Sequence, residues 1–124
     1  MTIADALAAF DDAGQFPEAR KIAWLSTLDG LVHRELVLTH VHDAALDAFA
    51  GYEASVDRAA ALLVPYPYDR DLYPAYLRAM ADRENGETAR YDRSAAVFNA
   101  AYAAYQSYVN RTAAPLPAAT AFAF

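Results

Sequence analysis

Ile22, Leu25, Leu28, Val32 and Leu36 recur at steps of three and four residues. Side chains with that period lie along one face of an α-helix, whereas a strand would put Leu25 opposite the other four. Pro17 suits the first turn of such a helix, and Glu18 sits well near its positive end. The spacing therefore predicts a helix over 17–38, with Gly30 a tolerated weak point. One apolar face has to be buried against others, so the rest of the chain must supply more helices.

Three further segments do so. Thr2 is placed to cap a helix carrying Asp5 in its first turn and Ile3, Leu7 and Phe10 at helical spacing, closed by Asp11-Asp12-Ala13-Gly14. Leu72, Tyr73, Tyr76, Leu77 and Met80 restore the period later, with Asp69 or Asp71 as the expected cap. Asn85-Gly86 offers this helix an end, but the Glu87 to Arg90 spacing favours continuation, and the break is expected at Arg90–Ser94 with Asp92 capping the last helix. That helix carries Val97 or Phe98, Ala101 or Tyr102, Tyr105, and Tyr108 or Val109, and ends near Asn110–Thr112. The expected fold is an all-α bundle of about four helices over residues 1–112. It is interrupted by an irregular excursion over about 39–68, in which Ala61–Val64 is a candidate for extended backbone. Residues 113–124, AAPLPAATAFAF, read as a poorly structured, extended C-terminal arm tipped with Phe122 and Phe124.

The excursion ends in Leu62-Leu63-Val64-Pro65-Tyr66-Pro67-Tyr68-Asp69. Two prolines forbid an ordinary helix here and stiffen the backbone. The expected division of labour has Leu62 and Leu63 anchoring the run on the chain's own core, and Tyr66 and Tyr68 held outward toward a neighbouring subunit. Nine tyrosines among 124 residues fit a protein that packs against others.

Charge and composition narrow the function. A formal charge of −6 opposes a nucleic-acid grip, which needs clustered Lys and Arg. The positive charge is almost all arginine, with Lys21 the single lysine. Cysteine is absent, so the chain has neither a disulfide frame nor a thiolate metal site. The first residues lack the basic and apolar regions of a secretory signal, and no window of about twenty residues is free of charge, so a soluble protein made in the cytoplasm is expected.

The sharpest catalytic candidate is His40-Val41-His42-Asp43, since a His-x-His pair with a nearby carboxylate can begin a metal site. His33 is the only other histidine, and the bland reading is a polar loop after a helix. Asp11-Asp12 and Asp69-x-Asp71 fall at helix ends, where capping and the helix dipole account for them. Asp82, Arg83, Glu84, Glu87, Arg90 and Arg93 form a mixed-sign run that reads as a solvated face in a monomer and as a pairing face in a ring. No enzyme emerges from these residues, and no catalytic, cofactor or metal residue is assigned.

An ordered set of short stretches resembles a known family. It comprises Lys21 through Gly30, Glu53 through Asp69 with its Leu-Leu-Val-Pro-x-Pro-Tyr-Asp, and Tyr73-x-x-Tyr76-Leu77. It continues with Asn85-Gly86-Glu87, Arg90-Tyr91, Ser94-Ala95-x-Val97-Phe98-Asn99, Tyr102, and Tyr108 through Thr112 followed by Pro115. In this the chain resembles the head–tail connector (adaptor) proteins of tailed bacteriophages and prophages. The resemblance implies a helical virion protein that assembles as a homo-oligomeric ring, expected to be a dodecamer, beneath the portal protein. Such a ring extends the DNA channel, lets packaged DNA pass without specific binding and presents a surface to the next stopper or tail protein. It binds no cofactor, catalyses nothing and meets no membrane. The resemblance makes Tyr66, Tyr68, Arg83, Glu87 and Arg90 the subunit-interface candidates, and Arg111, Leu116, Phe122 and Phe124 the portal-docking candidates. The chain departs from the family pattern in an alanine-rich Thr39–Ser55 segment and in a less basic tail. The alternatives are a head-completion, stopper or tail-completion protein, which tends to be β-rich, a small metal-dependent hydrolase using His40 and His42 with Asp43, or a monomeric helical binding module.

Overall fold

A computed structural model describes residues 1–116 of the chain. Four α-helices build it: α1 (Ile3–Ala9), α2 (Glu18–Val32), α3 (Asp69–Glu84) and α4 (Thr88–Thr112). A π-helical turn, His33–Val37, prolongs α2, and a 3-10 turn, Ala44–Leu46, lies in the long excursion. Among the described residues there are no named strands, only isolated antiparallel bridges at Thr2–Ala61 and His40–Pro115. The fold is all-α, as the periodicity requires.

The stripe on α2 is the centre of the core. Ile22, Leu25, Leu28 and Val32 are fully buried, and Leu36 carries the stripe on through the π turn. Each such side chain contributes about 1.5–3 kcal/mol by leaving water. Ile3, Ala6 and Phe10 of α1, Leu72, Tyr73 and Leu77 of α3, and Tyr105 and Val109 of α4 pack against it. α1 starts with the expected cap: Thr2 Oγ1 accepts from the Asp5 amide, and the Asp5 carboxylate accepts from the Thr2 amide, a complete capping box. Lys21 is buried on the α2 flank, its ammonium 3.2 Å from Asp12, whose carboxylate also accepts the Gly14 and Phe16 amides.

The boundary between α3 and α4 corrects the sequence reading. α3 stops at Glu84, and the break lies at Asn85–Glu87 instead of Arg90–Ser94. Gly86 takes φ +69°, the Gly86 amide donates to the Arg83 carbonyl at 3.1 Å, and the Glu87 amide donates to the Asp82 carbonyl at 3.1 Å. Those two bonds are the Schellman arrangement, for which glycine is the favoured residue. The Glu87–Arg90 ion pair that argued for continuation does form, at 3.1 Å, but across the first turn of α4. Asp92 caps nothing; it is an exposed residue inside α4.

The start of α3 differs as well. Neither Asp69 nor Asp71 is the N-cap: that position is Tyr68, with no side-chain capping bond, and the carbonyls of Pro65 and Pro67 receive the Asp69 and Arg70 amides. Both acids occupy the first turn, where the helix dipole favours them. α3 also runs through Pro74, which lacks the amide that would otherwise bond toward Arg70.

The C-terminal arm is not free over its described part. The Val41 amide donates to the Ala114 carbonyl at 2.8 Å, and the Leu116 amide to the Thr39 carbonyl at 3.0 Å, so residues 114–116 are stitched to the beginning of the excursion. Phe122 and Phe124 lie outside the described residues.

Candidate functional site

Asp29 lies within the apolar stripe of α2, one turn after Leu25 and one before Val32, and its side chain is completely buried. A lone carboxylate there would be strongly unfavourable, so it must be met by donors. Tyr73 Oη donates to Oδ1 at 2.6 Å, while Tyr52 Oη and the Leu63 amide, the latter at 3.0 Å, donate to Oδ2. Burial pushes the Asp29 carboxyl above the usual carboxylate range, against the opposing pull of these three donors. The same burial, together with the neighbouring carboxylate, drives the Tyr73 and Tyr52 hydroxyls far above the normal phenol range, so both stay protonated donors.

This hub places the proline-stiffened run. The Leu63 amide is held by Asp29, and the Val64 amide by Tyr73 Oη at 2.9 Å. Leu62 and Val64 are buried, Leu63 is partly so, and the backbone turns outward at Pro65. Tyr66 emerges 70 % exposed, with the Arg70 guanidinium stacked 5.0 Å from its ring centroid. Tyr68 does not follow it. Its ring packs on Tyr105 and Tyr108 of α4 at centroid distances of 5.7 and 4.8 Å, so the outward orientation expected of both tyrosines holds for Tyr66 alone. Helix initiation decides the difference: Tyr68 is the first cap residue of α3, and its ring is directed back across the helix pair.

α4 is 25 residues long, yet among its side chains only Tyr105 and Val109 are fully buried. Tyr102 reaches Glu35 at 2.7 Å, and Phe98 packs on Tyr76 and Tyr102, so the tyrosine row lies on the inner, half-buried side. The flank beside α3 is exposed and carries Arg90, Arg93 and Val97, which border a shallow depression with Arg78 and Asp82 of α3. Arg83 is exposed at the end of α3, Glu87 and Arg90 pair with each other, and Arg111 is exposed in the last turn of α4. The mixed-sign run is thus partly solvated, with one exception. Asp82 is buried and accepts from Ser94 Oγ at 2.8 Å, tying α3 to α4. Leu116 is half-buried at the end of the stitched segment.

The histidines are drawn into structural roles. His40 Nδ1 donates to the Leu36 carbonyl at 2.9 Å and Nε2 faces the Asn110 amide oxygen at 2.9 Å. His42 Nδ1 donates to the His40 carbonyl at 2.7 Å and Nε2 to Asp47 at 2.8 Å, contacts that raise its pKa above that of a free imidazole. His33 Nε2 donates to the Leu46 carbonyl at 2.8 Å. His33 and His40 tie the excursion to the extension of α2 and to α4, His42 ties it to itself, and among the described residues no group of three or more His, Cys, Asp or Glu side chains is assembled for a metal. Between the excursion and the end of α4 lies a groove of about 250 Å³, lined mainly by Val41, Leu46, Leu63, Pro65, Tyr105 and Tyr108. Among the described residues, no helix is long and apolar enough to cross a membrane.

Comparison with protein-family models, curated proteins and solved structures finds no match to this chain.

Proposed function

We propose that this chain is a structural protein of a tailed-phage or prophage virion, a head–tail adaptor whose copies form a ring beneath the portal protein. The ring, expected to be a dodecamer, extends the DNA channel and offers a docking surface to the next neck or tail protein, with no catalytic step and no cofactor. The observation that carries this reading is the convergence on Asp29. Segments far apart in sequence that make up the resemblance, Lys21–Gly30, Leu62–Asp69 and Tyr73, meet at one buried carboxylate. They act together there as a single device that fixes the elbow and projects Tyr66. The exposed side of the 25-residue α4 gives the same chain a second surface, and heterologous ring contacts require two different ones. An acidic subunit, −6 in formal charge, suits a channel along which DNA slides without sticking.

The test is the mass of the purified chain with and without the portal protein of its own genome. A ring that forms on the portal supports the adaptor. A chain that remains a strict monomer and never joins portal assemblies overturns it.

A further inference from the structure

The groove and the flank of α4 beside α3 complement each other in apolarity and charge. The groove presents Val41, 61 % exposed, and Leu46, and its edge carries Asp43 and Asp47, both exposed. Asp47 reaches across to the groove-lining His42 with one oxygen and leaves the rest of its carboxylate in water. The flank of α4 beside α3 is the converse. Val97 projects 61 % exposed, flanked at helical spacing by Arg93, Arg90 and the small Ala100. Arg90 is shared with Glu87, and Arg93 makes no ion pair among the described residues.

These surfaces cannot meet within one chain. Val109 lines the groove, and twelve residues of straight helix separate it from Val97, about 18 Å at 1.5 Å per residue. We infer that the exposed Val97 with Arg90 and Arg93 of one copy docks in the Val41–Leu46 groove of a second copy, with the arginines paired to Asp43 and Asp47. A contact joining two different surfaces of identical chains is heterologous, and it propagates until it closes as a ring or runs on as a filament. The inference rests on the ring reading for closure, but its contact is defined without reference to the portal.

The absence of cysteine makes the test direct. Two full-length variants, Val97→Cys and Leu46→Cys, are mixed and oxidised, and the disulfide products are separated by mass. The hetero-disulfide is expected to dominate over both homo-disulfides. It should be lost when the Val97→Cys copy also carries Arg90→Glu and Arg93→Glu, and regained when the Leu46→Cys copy carries Asp47→Arg. Circular dichroism of each variant separates loss of contact from loss of fold. Should a charge-reversed copy fail to fold, the salt dependence of the parent cross-link decides instead: attenuation in high salt supports the contact, and indifference to salt counts against it. A statistical mixture of disulfides, or one unchanged by charge reversal, overturns the inference. If the unsubstituted chain forms a portal-bound ring while 46–97 cross-links are absent, this contact is wrong and the adaptor reading stands. Specific cross-linking without portal incorporation supports the contact and counts against the adaptor.

Discussion

Every donor around Asp29 is aimed at a carboxylate that has lost its water, so removing that carboxylate unpairs three donors at once, Tyr73 buried and Tyr52 and the Leu63 amide partly so. Asp29→Ala is expected to lower stability by about 3–5 kcal/mol, since each buried polar group left unpaired costs about 1–3 kcal/mol. Asp29→Asn keeps one acceptor oxygen and should lose less; denaturant titration compares the two. The pH dependence follows from the raised carboxyl of Asp29, whose first cause is burial. Below the unfolded-state carboxylate value the group is protonated in both states, and its contribution to stability is complete. As pH rises from there through the raised folded value, the unfolded chain has released a proton that the folded chain still holds, so stability declines across that window. Asp29→Asn should remove this component, and a difference curve of folding free energy against pH between the two proteins measures it. An unchanged curve would mean that Asp29 ionises as freely inside as outside. The stripe of α2 was legible as a helix face, and an aspartate in register with Leu25 and Val32 was the available sign of a buried hub. What a single sequence could not supply was the identity of its donors, because Tyr52, Leu63 and Tyr73 lie 23, 34 and 44 residues away.

At the scale of elements, turns account for most of the differences between expectation and structure. α1 and α2 and the end of α4 follow from capping and periodicity, which are local. The α3–α4 boundary lies before the Arg90–Ser94 position that the Glu87 to Arg90 stretch suggests, since the ion pair that stretch forms contributes only about 0.2–0.5 kcal/mol. The positive φ of Gly86 decides the boundary instead. Its site is open space around the missing Cβ, so Gly86→Ala meets only the left-handed backbone penalty of about 1–2 kcal/mol. Gly51 has φ +85°, but a Cβ there would lie 2.7 Å from Ser26 Oγ, the hydroxyl that accepts the Tyr52 amide. Gly51→Ala is therefore expected to destabilise more than Gly86→Ala and to loosen Tyr52 from Asp29. Denaturant midpoints rank the two variants, and equal midpoints would show that Ser26 can rotate away freely. The excursion carries no period of its own because its shape is dictated by such long-range ties, from Ser26, Asp29, His33 and His40.

On the scale of the whole molecule, the described part of the arm and the residues after it can be separated by truncation. Residues 114–116 belong to the fold, since their backbone groups pair with Thr39 and Val41 on the rim of the groove. The remaining eight residues, PAATAFAF, add only apolar and small side chains to an otherwise acidic protein. Large apolar side chains gain by burial on a partner, and Phe122 and Phe124 are the ones the adaptor reading assigns to the portal. Truncation after Leu116 is accordingly expected to leave the helical circular dichroism, the thermal midpoint and the protection of the Val41 amide unchanged, while abolishing association with the portal. Truncation after Thr112 should in addition release the Val41 amide to hydrogen exchange, because its acceptor on Ala114 is gone. The two truncations separate anchoring from folding. If portal association survives the shorter cut and fails only with the longer one, the docking element is the Thr39–Val41 edge ordered by residues 114–116, and the phenylalanines are not the anchor.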